Sequence, residues 1–466
     1  MLEDMAARLG AQHVLTGADA APYGRDWTGA FVSHPMAVLR PADTAQVSAI
    51  LRAAQACGQP VVPVSGNTGL SGGTMADGAV MISLERLRAI REIKPAARIA
   101  RVEAGVVLSE LYDAAAAQGL VFPMTFGAKG SARLGGMLST NAGGSNVLRY
   151  GTMRDLCLGI EAVLPNGDVL DAMTELHKNN TGYDLRHLLI GAEGTLGVVT
   201  GAVLKVVPAP KARATAFIGL RSLPPALELL NALQEATGGA VEAFEYMPAV
   251  YHAAYARHAP GAVPPLSQDW PVTILAEIAS PSEDAAERLA DGTPRLEAQV
   301  ATILSGFLES GLIADATLAQ SERQRAAFWA RREAAAEVTF TGRPLVIADI
   351  ALPLDAQAAF LDAMEARLPG FGAGAESFPI AHLGDGNLHY VVWIDREDAA
   401  LKTRITEAIE DEVARFGGTF SAEHGIGMLK RGTMARRKDP VALAAMRAIK
   451  AALDPQDLCN RGKLLP

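Results

Sequence analysis

The sequence predicts an α+β protein of two domains, and three observations lead there. At 466 residues the chain is about three times a typical domain length of about 150 residues. Of its 45 glycines, many cluster between residues 58 and 201 among short β-rich runs, then again at 370–386 and 417–432. Between those clusters lies an Ala-, Leu- and Glu-rich stretch with helical periodicity, after which strand-like runs reappear among helices, as in an open α+β sheet. KVVPAPKAR, near 208–213, reads as the linker. The expected organisation is therefore a first domain over 1–210, a second over 211–440, and a C-terminal helix and tail over 441–466 that returns to the first.

Each element has its own signal. PMAVLRPAD is a strand, and DTAQVSAILRAAQACG is a helix opened by Asp43 or Thr44 and stopped by Gly58. PVVPVSG is a second strand. AVMISL, RIARVEAGV, LGIEAVLPNGDVL and GTLGVVTGAVLKVVP continue as short strands with Pro-Asn-Gly-Asp and Gly-Gly turns. LPPALELLNALQEA and SERQRAAFWARREAAAEV read as amphipathic helices. VTILAEIAS, PLVIADIALP and NLHYVVWID are strands among helices, and ALDPQDLCNRGKLLP is a short helix with an extended tail.

Composition excludes several classes. The 42 Lys+Arg against 51 Asp+Glu leave a net charge of −9, a poor basis for gripping nucleic acid. With 49% hydrophobic and 20% charged residues the chain is too apolar for disorder. Its apolar runs fall short of the roughly 20 residues that span a bilayer. The start, MLEDMAARLG, has no apolar stretch of the secretory kind, so a cytoplasmic protein is expected, at most peripheral to a respiratory membrane. Cys57, Cys157 and Cys459 make no CxxC spacing and read as reduced thiols.

The chemistry-bearing segments are of two kinds. No GxGxxG stands between a strand and a helix and no GxxxxGK[ST] occurs, which removes the common nucleotide folds. Directly after the strand PVVPV comes Ser65-Gly66-Asn67-Thr68-Gly69-Leu70-Ser71-Gly72-Gly73, where small residues let consecutive N–H groups turn toward one anion. A second glycine block holds Gly127, Gly130, Ser131, Gly135 and Gly136, then Thr140, Asn141, Gly143 and Gly144, followed by Arg149, Tyr150 and Gly151. A third holds Glu193, Gly194, Gly197 and Val198. Three such blocks in one β-rich domain suit a long ligand with a pyrophosphate lying along main chain.

The other kind is His382-Leu383-Gly384-Asp385-Gly386-Asn387-Leu388-His389. The glycines break any helix, so the segment reads as a hairpin on an Asp385-Gly386 type I′ turn. That register sets His382 directly opposite His389, with Cβ atoms about 4.5–5.5 Å apart. Glu423 and His424 come later, in SAEHGIG. Two histidines and a carboxylate make a metal site with open positions, suited to zinc, manganese or ferrous iron.

PVSGNTGLSGG, STNAGG with RYGT, and NNTGYDLRHLLIGAEGTLGVVT resemble the FAD-binding domain of the vanillyl-alcohol oxidase/p-cresol methylhydroxylase superfamily. With HLGDGNLH and SAEHGIG, the chain resembles its D-2-hydroxyacid dehydrogenase branch, to which D-lactate-, D-2-hydroxyglutarate- and glycolate-oxidising flavoproteins belong. The resemblance implies a two-subdomain FAD-binding domain plus an α+β substrate cap with an antiparallel sheet. It implies FAD with its pyrophosphate on the 65–73 loop, Pro63 at its head, and the second and third glycine blocks and Asn460 around the ribityl chain and flavin. It further implies non-covalent FAD, which fits the lack of histidine in those loops. His382, His389 and Glu423 become the ligands of a divalent metal, His424 the base, and Arg332 a carboxylate-binding residue. A homodimer is expected, passing electrons to an external electron-transfer flavoprotein, cytochrome or quinone. An alcohol's pKa, near water's 15.7, lies about nine units above histidine's, on the order of 12 kcal/mol, so a base alone is insufficient and a cation is needed.

The substrate expectation comes from departures. In 2-hydroxyglutarate-type relatives an Arg and a Thr four residues on lie after a Trp, a Lys precedes an aspartate-bearing strand, and an Asn comes two residues after the second metal histidine. This chain keeps Trp329 and Arg332 but has Ala336, Ile347 and Val391 at the other three places. A small 2-hydroxyacid with a short or apolar tail, D-lactate-like, is therefore expected ahead of D-2-hydroxyglutarate or glycolate. Rival classes are a metal-dependent hydrolase, which leaves the glycine loops without purpose, and a flavin-carrying, non-catalytic subunit.

Overall fold

The computed structural model describes residues 1–466 and divides them into two compact units: Met1–Gly143, Gly151–Ala209 and His424–Pro466 form one, Gly144–Tyr150 and Pro210–Glu423 the other. The architecture is α+β, with mixed helices and sheets in the first unit and one antiparallel sheet in the second.

In the first unit, the helix Thr44–Cys57 begins where the Asp43 carboxylate accepts the Gln46 N–H and ends on Gly58 in the left-handed region, φ 66°. Val47, Ile50, Leu51 and Ala54 form its buried stripe, packed with Val61, Val80 and Ile82. Those residues come from a four-stranded sheet in which Ala37–Leu39, Val80–Ser83 and Val61–Val64 run parallel and Val14–Leu15 pairs antiparallel at one edge. A second sheet of five antiparallel strands has the order Ile90–Lys94, Ile99–Glu103, Val198–Lys205, Cys157–Val163, Val169–Ala172. Val198–Lys205 sits in its middle and is buried along nearly its whole length.

Two boundaries differ from the sequence expectation. The chain leaves the second unit at Glu423/His424 rather than near 440, because the segment from His424 onward is hydrogen-bonded into the first unit. There the Ile426 and Gly427 N–H groups donate to the Glu193 carboxylate, and Met428 N–H donates to the Ser71 carbonyl. Conversely, Gly144–Tyr150 belongs to the second unit, packed on the strand Val241–Pro248. The C-terminal helix, Pro440–Leu453, is succeeded by a tail in which Val61 N–H donates to Leu458 O and Asn460 N–H to Val61 O.

The second unit is built on seven antiparallel strands in the order Asp315–Leu318, Ala212–Leu220, Val272–Ser280, Val241–Pro248, Glu376–His382, Asn387–Trp393, Leu345–Ala351. Central strands such as Val241–Pro248 are buried on both faces, because helices cover both. On one face Leu229, Leu233, Val300, Leu304, Phe360 and Ile405 pack with Ile218, Ile274 and Phe244. On the other, Tyr251 and Phe328 pack with Phe217, Met247, Phe378 and Trp393. The predicted long helix around Trp329 breaks at Ala334 into Glu322–Glu333 and Ala335–Thr339. No helix is long and apolar enough to cross a membrane.

Candidate functional site

Within the first unit, the 65–73 loop leaves the buried strand Val61–Val64 and meets the 130s loop to enclose a cleft of about 500 Å³. Ser65, Gly66, Asn67, Gly130, Ser131 and Arg133 line it. Gly66 is required there by close approach: a Cβ on it would lie 2.4 Å from the Ser131 carbonyl oxygen. Asn67 takes a positive φ of 51°, held by Nδ2 donating to Arg25 O and by Thr74 Oγ1 donating to Oδ1. Arg133 fixes the opposite wall by donating to the Gly105 and Glu85 carbonyls. Tyr23, Glu85 and Val107 also line it, so the cleft combines main chain and small polar side chains with one guanidinium and one carboxylate.

The remaining first-unit residues support these loops. Gly194, at φ 73°, packs against Pro63, which a Cβ would reach at 2.4 Å. Gly135, Gly136 and Thr140 lie in the helix Leu134–Thr140, which Asn141 ends in the left-handed region, and Gly151 precedes the short helix Met153–Leu156. Asn460 Nδ2 donates to the Gly73 and Glu193 carbonyls, tying the tail to the first and third glycine blocks. Burial pushes the Glu193 carboxyl above its usual range, even though two backbone N–H groups oppose that. His424 belongs to this unit, and its carbonyl accepts from Ser71 Oγ at 2.9 Å.

Arg149 and Tyr150 belong to the second unit. Arg149 donates to the Ala279 carbonyl and the Glu242 carboxylate, and Tyr150 OH donates to Glu242 at 2.6 Å, so both side chains fasten Gly144–Tyr150 to the second unit's sheet.

In the second unit the two histidines share a face, in a register different from the expected one. His382 pairs with Asn387 and His389 with Ile380, so the loop is four residues long, 383–386. The loop is wider because other strands take its polar groups: Gly384 N–H donates to Phe244 O, and Gly386 O accepts from Leu352 N–H. Asn387 N–H donates to the Asp385 carboxylate and closes the turn. The slip is two residues, an even number, so both side chains stay on one face as diagonal neighbours with ring centroids 5.7 Å apart.

Register places a carboxylate beside each histidine. Glu245 is opposite His382, and Asp349 is opposite His389. His382 Nδ1 lies 2.9 Å from Glu245 Oε1, and His389 Nδ1 lies 3.7 Å from Asp349 Oδ1. Both Nε2 atoms then turn toward Glu423, at 4.0 Å from Oε1 and 3.8 Å from Oε2. One ligand atom from each of His382, His389 and Glu423 lies within 4.8 Å of the others. Two imidazoles and one carboxylate converging in this way fit a divalent cation with open positions. Asp349 also accepts from Asn387 Nδ2 and from Glu423 N–H at 2.9 Å, which holds the Glu423 backbone in place.

Electrostatics mark the same spot. Burial alone would lower the His382 pKa, but the Glu245 carboxylate overrides it and raises it to about 9. Burial pushes Glu423 up to about 7 and Asp385 up to about 6. Glu245, wholly buried, is nonetheless held low, because His382 and Arg332 outweigh its desolvation. Arg332, from the helix Glu322–Glu333, donates Nε to Glu245 Oε2 at 2.8 Å. Its buried Nη2 is as close to the same oxygen, at 2.8 Å, but lacks the alignment of a hydrogen bond.

Glu245 was missed in the sequence. Its signal was a carboxylate inside VEAFEYMP, an otherwise apolar strand, where a buried charge demands partners. Of the three positions from which the sequence suggests a substrate tail, Ile347 is 40% exposed on the face of Asp349 and His389, whereas its cross-strand partner Val391 is only 2% exposed and packs in the aromatic cluster. Val391 is therefore a core residue, and Ala336 lies in the short helix Ala335–Thr339.

Comparisons with known proteins assign an FAD-binding domain to part of the first unit. Residues 35–173 match the FAD binding domain family, and residues 209–464 match the C-terminal domain of FAD linked oxidases. The chain is similar to a D-2-hydroxyglutarate dehydrogenase of Xanthomonas citri, 35% identical with 96% of this chain and 93% of that protein covered. It is also similar to the mitochondrial D-2-hydroxyglutarate dehydrogenase of Bos taurus, 34% identical with 96% of this chain and 79% of that protein covered. In structure it resembles a p-cresol methylhydroxylase with substrate bound (TM-score 0.73, 17% identity, 99% of this chain and 95% of that chain). An alkyldihydroxyacetonephosphate synthase is comparable (TM-score 0.71, 17% identity, 98% and 84%). At such identities the two solved structures establish the fold alone.

Proposed function

The chain belongs to the family of FAD-linked oxidases, and within it we propose a D-2-hydroxyacid dehydrogenase that holds a divalent cation on His382, His389 and Glu423 and oxidises short or apolar-tailed substrates. The observation that carries the cation is the convergence of those three ligand atoms within 4.8 Å, with an accompanying carboxylate beside each imidazole. Bound FAD supplies the acceptor for the hydride from C2. A divalent cation supplies positive charge that can bring the pKa of a bound water to about 7, and it offsets the substrate carboxylate.

The remaining roles fall to this chain's own groups. His424 accepts the proton of the substrate hydroxyl; its backbone is anchored through Ser71 to the 65–73 loop. Arg332 keeps the N–H groups of one buried nitrogen, Nη2, for a substrate carboxylate, while Glu245 holds the guanidinium through Nε. Electrons leave to an external acceptor, an electron-transfer flavoprotein, cytochrome or quinone; Cys57, Cys157 and Cys459 are free and dispersed, with no iron–sulfur set among them.

Ile347 supports the apolar-tail specificity, because it presents hydrocarbon beside the Asp349–His389 pair. Burying substrate methylenes there is favourable by about 0.8 kcal/mol each. The names of the relatives favour a second reading, D-2-hydroxyglutarate, in which a distal carboxylate would have to share Arg332 with Glu245. A dye-reduction panel of D and L 2-hydroxyacids decides between them. The expected result is kcat/KM rising from D-lactate toward D-2-hydroxyhexanoate. D-2-hydroxyglutarate exceeding every monocarboxylate by tenfold would establish the second reading.

A further inference from the structure

We propose that Glu245 is a positioning residue of the metal site: it sets the tautomer of His382 so that Nε2, and not Nδ1, is presented to the cation. The inference rests on the metal reading above and adds a residue that touches neither metal nor substrate.

Three observations carry it. Glu245 is 0% exposed in the middle of the strand Val241–Pro248, where an apolar side chain would cost nothing and an unpaired carboxylate several kcal/mol. Its two partners are both functional groups: Oε1 faces His382 Nδ1 at 2.9 Å, and Oε2 accepts from Arg332 Nε at 2.8 Å. A carboxylate beside Nδ1 can only accept, so Nδ1 carries a hydrogen, and Nε2 is the nitrogen that gives up its proton to offer a lone pair to a cation. That atom is the one that points toward Glu423 Oε1, 4.0 Å away.

The geometry also orients the ring. Glu245 and His382 are paired in register on adjacent strands, so the ring is held from the backbone of a rigid sheet rather than from a loop. Arg332 completes the clamp from the helix Glu322–Glu333, preventing the carboxylate from turning away. Asp349 stands in the corresponding place for His389, but at 3.7 Å and shared with Asn387 and the Glu423 N–H, so its hold is looser. Metal ligands with such partners lose about 10–100-fold in metal affinity when the partner is removed.

The test titrates FAD-loaded, metal-stripped protein with Zn²⁺ and with Mn²⁺ by calorimetry, using the full chain and the variants Glu245→Gln and Glu245→Asp. Glu245→Gln is expected to weaken the cation by about 10–100-fold with FAD content unchanged, and excess cation should restore kcat. Glu245→Asp, which keeps the charge, should recover part of the affinity. In the unaltered protein, ¹⁵N spectra of labelled histidine should show His382 protonated at Nδ1 and metallated at Nε2, a readout that no folding defect can disturb. Equal affinity in Glu245→Gln, or metal on Nδ1, would overturn the positioning role and leave the metal reading standing. No cation binding by the unaltered protein would end both.

Discussion

The glycine cleft of the first unit and the histidine cluster of the second are built on opposite plans. In the cleft, two loops approach so closely that side-chain atoms must be absent at one point: a Cβ on Gly66 would meet the Ser131 carbonyl at 2.4 Å. In the cluster, the backbone is ordinary antiparallel sheet and everything depends on four side chains, His382, His389, Glu423 and Glu245, on one face or held to it. The first plan is sensitive to added atoms and the second to removed charge. Substitutions should therefore separate FAD binding from metal binding.

The largest separation is expected from His389→Ala. Losing one of three ligands should abolish stoichiometric metal and lower dye-coupled turnover by about a thousandfold or more, while FAD content stays at the level of the unaltered protein. Metal analysis and the flavin absorbance of the same sample check this together; loss of FAD in parallel would mean that the two plans are not independent.

Gly66→Ala should do the reverse. Forcing a methyl group into that contact costs about 1–3 kcal/mol, read as FAD binding weakened by roughly 10- to 100-fold with cation affinity untouched. Gly69→Ala, where nothing lies within 4 Å of the added Cβ, should leave the folded chain unstrained and FAD binding within about twofold. Equal losses in the two variants would remove close approach as the cause.

Titration sharpens the contrast, because the ionisable ligands sit in the cluster. In metal-free protein His382 is raised to about 9 and Glu423 to about 7, both above their unfolded values. Groups raised on folding stabilise most when protonated, so the His382 contribution is full below about 6.5 and is lost as pH rises through about 9. The Glu423 contribution fades between its unfolded value and about 7. Tm of the metal-free protein should therefore fall from pH 5 to pH 9 relative to the metal-loaded protein, whose ligands are already deprotonated. Parallel curves would contradict the assignment of these groups as ligands.

The smallest effect is expected from Tyr150→Phe. It removes one hydrogen bond to Glu242 that Arg149 still partners, so stability should drop by about 1 kcal/mol while FAD and metal binding stay constant. A selective loss of FAD instead would give Tyr150 a role in holding the cofactor.

Legibility in the sequence divides along the same line. Part of the cleft's lining was legible, because a glycine that close approach requires, such as Gly66, appears as a glycine in the chain, whereas Tyr23, Glu85 and Arg133 carry no local signal of their place there. The histidine pair was placed on one face although the register was two residues out: period-two alternation fixes the face, whereas the hydrogen bonds with the Phe244 carbonyl and the Leu352 N–H that widen the turn involve residues distant in sequence. Glu245 lies 137 residues from His382, and no local pattern couples them. The same holds for Arg149 and Tyr150, which sit beside cofactor-type motifs in sequence but bond to Glu242, more than 90 residues on.

The most direct test is anaerobic mixing of the FAD-bound, metal-stripped protein with D-lactate, with flavin absorbance recorded before and after adding Zn²⁺ or Mn²⁺. A cation-assisted oxidation predicts no bleaching without the cation, rapid bleaching with it, and none in either case with L-lactate. Bleaching at the same rate in the stripped and the loaded protein would contradict a metal-assisted oxidation of D-2-hydroxyacids.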